Sequence, residues 1–241
     1  MPWHARSLRL TAFPMPGSDL SQAPNWQGLV GQAPEATVSR AGQVVETGPL
    51  RPGVLQLAKQ GPLRADLVLS AVPNPEGPDP ELPALGVVQD AVAVFGPFAE
   101  TFLHGSPPLQ RIAFGADLVY PRQSRDEAYR YLTEAIRGAR IDLDGASEFL
   151  YQINRPRESA LLRGVRLNRL SKWSASMWQN FVFDATVGQR LVGPERFGNA
   201  LELDINTPPD YPGALPRDAL RDVFRELVNM GLEIAERGDI R

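Results

Sequence analysis

Between residues 149 and 207 apolar and polar residues alternate in several short runs, each cut off by glycine, proline or charge. A period of two sends successive side chains to opposite faces of an extended chain, so these runs predict neighbouring strands with one buried face. The same stretch holds two of the four tryptophans and the densest basic cluster of the chain. Whatever else the molecule contains must pack against this group of strands.

The remaining segments supply that packing. Leu8 and Leu10 alternate over residues 6–13 and predict a first strand, stopped by Pro14, Pro16 and Gly17. Trp26 is expected to close an edge of the core. Leu55 and Leu57 share one side of residues 54–59, Leu67 and Leu69 one side of 63–72, and Gln60-Gly61-Pro62 turns between them, which predicts a hairpin. Residues 73–83, rich in proline and acid, predict an exposed loop. A helical spacing runs over 85–103, and Gly96-Pro97 predicts a kink there or a division into two short helices. A strand is expected over 110–120. Ser124 followed by Glu127 has capping-box spacing, and the helix it opens ends near Gly138. The last helix begins near Pro216 and carries an apolar stripe from Leu220 to Ile234. Gly231 is expected to weaken or divide it, and Gly238 to end it.

Strands come in groups and alternate in polarity, whereas a doubly wound fold needs regular strand–helix alternation and nearly continuous apolar strands. The expectation is therefore an α+β fold with mixed or largely antiparallel sheets and helices on one face. It is organised either as one continuous domain or as two related halves, residues 1–140 and 141–241. Leu150 to Pro156 and Leu203 to Pro208 echo each other, each ending in Ile-Asn-x-Pro, which reads as a pair of equivalent strand exits.

Composition narrows the chemistry. There is no cysteine, so disulfides, thiolate metal sites and a cysteine nucleophile are excluded together. The net charge of -3 gives no global electrostatic case for nucleic acid or an anionic membrane. No stretch approaches 18 apolar residues and the first residues lack a cleavage-site pattern, so a cytoplasmic protein without a membrane span is expected. His4 and His104 have no metal-binding spacing, and neither a G-x-S-x-G elbow nor a Walker lysine is present. No cofactor and no metal site are expected. The glycine-bearing stretch 188–198, with Arg190 and Arg196, reads as an interstrand loop or an anion-binding one. Asp142, Asp144 and Glu148 cluster before the central strands. Glu202 and Asp204 share one strand face, where they either hold a cation or form the wet side opposite Leu201, Leu203 and Ile205. The wet-side account covers more residues.

The basic cluster is the strongest functional signal. Between Tyr151 and Lys172 lie Arg155, Arg157, Arg163, Arg166, Arg169 and Lys172 against the single acid Glu158, with Trp173 and Trp178 directly after. Arginine beside tryptophan is what a protein–protein hot spot uses, and also what holds phosphates and stacks bases. Around Val165 the parity puts Arg166 and Asn168 on a wet face and Arg169 on the apolar one, where it is expected to mark a bulge or a strand end. The binding residues expected are Arg155, Arg163, Arg166, Asn168, Arg169, Lys172, Trp173 and Trp178. They point to a non-enzymatic accessory or scaffold protein that binds a protein partner or a second copy of itself. The alternatives are a protein that binds nucleic acid or a phosphorylated ligand, and a carboxylate-dependent hydrolase.

Overall fold

A computed structural model describes residues 2–72, 82–140, 142–179, 181–184 and 189–240, with residues 181–184 and 189–192 described by backbone alone. The chain runs β1 (His4–Pro14), α1 (Trp26–Val30), β2 (Ala36–Arg40), β3 (Gln43–Leu50), β4 (Gly53–Gln60), β5 (Arg64–Ser70), α2 (Val88–Gly105), β6 (Leu109–Arg122) and α3 (Arg125–Ala135). It continues through β7 (Leu150–Asn154), β8 (Arg157–Glu158), β9 (Arg166–Trp178), β10 (Phe181–Asp184), β11 (Gln189–Val192), β12 (Arg196–Asn206) and α4 (Leu220–Arg237). The expected loop at 73–83 lies outside the described residues except for its last two.

Nine strands pair side by side in the order β2-β3-β4-β5-β1-β6-β12-β9-β7, and β8 joins the end of β9 as a tenth. Every pairing is antiparallel. β10 and β11 form a separate hairpin. The first strand thus sits in the middle of the sheet. β6 carries β1 on one edge and β12 on the other, and β6 and β12 pair from Phe197 opposite Arg122 to Asn206 opposite Ala113.

Alternation decides which face meets the helices. Leu8, Leu10, Leu67, Leu69, Phe114, Leu201 and Leu203 point one way and belong to one continuous buried cluster with Phe95, Phe102, Leu132, Phe224 and Leu227 of the helices. α4 comes so close to the sheet that a Cβ at Gly231 would stand 3.0 Å from the Phe114 ring. The glycine therefore does not divide α4. Helix-propensity cost is outweighed by the close approach it permits, and the helix runs unbroken from Leu220 to Arg237. Pro97 likewise lies inside one helix rather than between two. Proline cannot donate to the carbonyl four residues back, but Phe95, Ala99, Phe102 and Leu103 stay buried on one side of it and hold both halves to the same core.

Of the other local signals, the end expected near Gly138 for the helix that Ser124 opens comes earlier, at Ala135 with Ile136 as cap. Ser124 accepts the Glu127 N–H at 3.2 Å, although Glu127 reaches back to the Gln123 N–H at 2.9 Å rather than to Ser124. Gly238 closes α4 with φ +82°. Trp26, buried, lies over Gly48 of β3, where a side chain would come within 2.6 Å of the indole. Asn154 and Asn206 do end their strands, one on each side of β9, and Asn168 joins them. Asn154 donates to Asn168 at 2.9 Å, Asn168 to Asn206 at 3.1 Å, and Asn206 to Asp204 at 2.8 Å. These amides tie the ends of three neighbouring strands together.

Candidate interaction surface

The four described α-helices lie on the side of the sheet where Leu8, Phe114 and Leu203 point, and among the described residues no helix covers the other side. Strand register assembles that bare face in rows. One row reads Ser70, Ser7, Asp117, Glu202, Lys172, Gln152 across β5, β1, β6, β12, β9 and β7. The next reads Val68, Arg9, Gly115, Asp204, Leu170, Asn154, and a third Asp66, Thr11, Ala113, Asn206, Asn168. Near the end of β1, Phe13 stands opposite Arg111.

Charges on this face are mostly matched, either across strands or, for Arg64 and Asp66, along β5. Arg6 reaches Asp117 at 3.6 Å, Arg64 reaches Asp66 at 3.1 Å, and Lys172 reaches Glu202 at 2.7 Å. Burial raises the carboxyl of Asp117 above its ordinary value, with Arg6 opposing the shift and Glu202 adding to it. Glu202 and Asp204 therefore share one face, as the parity predicts, and both are engaged. Glu202 holds Lys172 and Asp204 accepts from Asn206. A depression of 320 Å³ opens between Arg9, Asp117 and Glu202, floored by Gly115.

β9 divides the basic cluster by parity. Arg166, Asn168, Lys172 and Trp178 belong to the bare face. Arg166 is exposed, donates to the Pro156 carbonyl at 3.1 Å and stands 3.8 Å from Glu158. Trp178 is half-buried. Arg169 and Trp173 go the other way. Arg169 marks no bulge: the β9–β12 register runs without a shift from Trp178 to Asn168, and the side chain enters the core side at 2 % exposure. It stands 3.5 Å from Glu233 of α4, which also takes Arg157. Burial lowers the Arg169 pKa, Arg157 adds to this and Glu233 opposes it. Trp173 is fully enclosed, its indole N–H donating to Ser171 at 3.0 Å and its ring edge-on to Trp3. A tryptophan with no exposed surface cannot anchor a partner, so Trp173 belongs to the core.

Arg155 is also committed inside the molecule. Its guanidinium grips Asp239 through two hydrogen bonds, at 2.6 and 2.9 Å, and Tyr151 donates to the same carboxylate at 2.9 Å. Burial pushes the Asp239 carboxyl up, but the Arg155 and Tyr151 hydrogen bonds outweigh it and hold the group below its ordinary value. Gly138 leaves room for this pair, since a Cβ there would collide with Arg155 and stand 3.2 Å from Asp239. Glu226 of α4 accepts from Ser159 and from the Ala160 N–H. Much of the expected basic surface is thus a clamp fastening α4 and the residues after it to β7, β8 and β9. Arg163 is exposed on the turn before β9, apart from the clamp.

The remaining candidates disperse. Asp142 accepts the Asp144 N–H in a local turn, and both are exposed. His4 lies in β1, and His104 in the last turn of α2 gives its carbonyl to Arg217. The 188–198 stretch includes Gly188, outside the described residues; of Arg190 only the backbone is described. Among the described residues no three His, Cys, Asp or Glu side chains gather as a metal site, and no helix is long and apolar enough to cross a membrane. Arg9, Arg111 and Asp117 carried no functional signal in the sequence, and Gly115 was marked only by its alternation on the 110–120 strand. The signal available was the alternation of Arg9 against Leu8 and Leu10.

No protein-family model matches this chain, and no curated protein does.

Proposed function

We propose that this chain is a non-enzymatic accessory or scaffold protein that docks a protein partner on the bare face of its sheet. The observation that carries this reading is the one-sided architecture: ten strands, four helices on one face and none described on the other. A sheet face of this breadth, charged, amide-rich and edged by the half-buried Trp178, offers a partner both hydrogen-bonding groups and an aromatic anchor. Of the residues expected to bind, Arg166, Asn168, Lys172 and Trp178 share this face; Arg155, Arg169 and Trp173 are spent on the fold.

The test is affinity capture from the native host at moderate salt, with nuclease, using wild type and the double variant Arg166→Glu/Lys172→Glu. A variant on the helix side, Arg221→Glu, serves as control. A stoichiometric protein is expected with wild type and Arg221→Glu and should be lost by tenfold or more, roughly 1.4 kcal/mol, from the double variant. Equal recovery by all three would refute the face as the docking site. Recovery of nucleic acid alone from untreated lysate would favour the nucleic-acid reading instead.

A further inference from the structure

We propose that the segment seated on the bare face is an acidic, extended stretch of polypeptide whose carboxylates are held by Arg9 and Arg111. This rests on the reading of that face as the docking surface and names the chemistry of its occupant.

Most cations of the face already have a carboxylate, as Arg6, Arg64 and Lys172 show. Arg9 and Arg111 have none: among the described residues neither guanidinium makes a hydrogen bond or an ion pair. Arg111 is nonetheless held in position, and Arg9 has open space to reach a ligand. Arg9 is exposed and lies over Gly115, where an added Cβ would stand 3.1 Å from Nε. Arg111 stacks over the Phe13 ring, 5.0 Å from its centre, and its Nε is buried without an acceptor. Arg111, already placed by Phe13, loses little conformational freedom when a carboxylate arrives, and a planar guanidinium such as that of either arginine takes a carboxylate through two hydrogen bonds.

Spacing adds to the match. Arg9 faces Gly115 and Phe13 faces Arg111, so the two arginines are four residues apart along neighbouring strands. At roughly 3.4 Å per residue that is about 14 Å, the separation of residues i and i+4 in an extended chain. Carboxylates at Asp66, Asp117 and Asp204 lie between or beside them. A polypeptide bearing acids at two chosen positions passes these groups with neutral residues, whereas a nucleic-acid strand carries a phosphate at every nucleotide and meets them all.

The test uses the full chain and three fluorescent probes read by anisotropy at low and moderate salt. One probe is a nine-residue Thr/Ser peptide with Glu at positions 1, 5 and 9, another is its Gln counterpart, and the last is a twelve-nucleotide oligo-dT. The Glu peptide is expected to bind wild type about tenfold more tightly than the Gln peptide. Arg9→Gln and Arg111→Gln should each remove most of that preference, and Arg221→Gln none. Arg9 is exposed, so its variant alone carries the test if Arg111→Gln does not fold. No preference for the Glu peptide, or a preference that survives Arg9→Gln, would overturn the proposal, as would tighter binding of oligo-dT lost in the same variant. A captured partner that is retained by Arg9→Gln but lost by Arg166→Glu/Lys172→Glu would overturn the acidic occupant and leave the docking face standing.

Discussion

Asp239 accepts three hydrogen bonds from two side chains while almost wholly removed from solvent. Replacing it with Asn keeps the shape and removes the charge, leaving Arg155 partly buried without its counter-ion. A loss of about 2–3 kcal/mol is expected at neutral pH, the usual scale for a hydrogen-bonded charge in such a site. The sign of its pH dependence follows from the direction of the shift. The folded carboxyl titrates below its ordinary value, so its contribution is complete above the ordinary carboxylate range and fades as pH falls through the folded value. Urea denaturation from pH 7 to pH 2 should show wild type and Asp239→Asn converging in acid. A constant gap across that range would show that the shift, and with it the strength of the clamp, is misjudged.

At the scale of elements, β9 decides most of what the molecule presents. Thirteen residues in one unbroken strand send Arg169, Ser171 and Trp173 beneath the helices and Arg166, Asn168 and Lys172 to the open face. Trp173→Ala should therefore act on the whole fold, costing roughly 3–5 kcal/mol as a large buried side chain is deleted, with a matching drop in thermal midpoint. Partner loss without unfolding in that variant would place Trp173 back in an interface. Parity on this strand was legible in the sequence, and it already placed Arg169 on the apolar side. What could not be read was the reason a charge survives there, because Glu233 lies on a helix more than sixty residues later. The same limit hid the Arg155 clamp: Asp239 shows no periodic relation to the strand it fastens. Hairpins such as β4–β5 and the Ser124 helix start were legible because both partners lie within a few residues. Alternation tells which face a residue takes, but not which strand will lie beside it, and so β1 in mid-sheet carried no local mark.

For the whole molecule, the sheet runs across residue 140, where the sequence leaves open one continuous domain or two halves. β6 and β12 come from either side of residue 140, and α4 covers Phe114 of β6. A fragment of residues 1–140 keeps β6 but lacks β12 and α4, and is expected to be insoluble or molten, with lost near-ultraviolet circular dichroism and exposed apolar surface. A soluble fragment with sharp thermal unfolding would instead make the N-terminal half a domain of its own. The order of the strands also bears on how the chain is made. β1 to β6 leave the ribosome first and can close their local hairpins within microseconds, but β12 follows β6 by more than seventy residues. At roughly 5–20 residues per second the nascent chain waits several seconds with the outer edge of β6 unpaired. During that interval β6 is a fourteen-residue sheet edge with Ile112, Phe114 and Leu118 along it, a ready template for a neighbouring copy. Poor yield from rapid overexpression would then originate in this unfinished edge, and slower synthesis would raise the soluble fraction without any change to the finished surface.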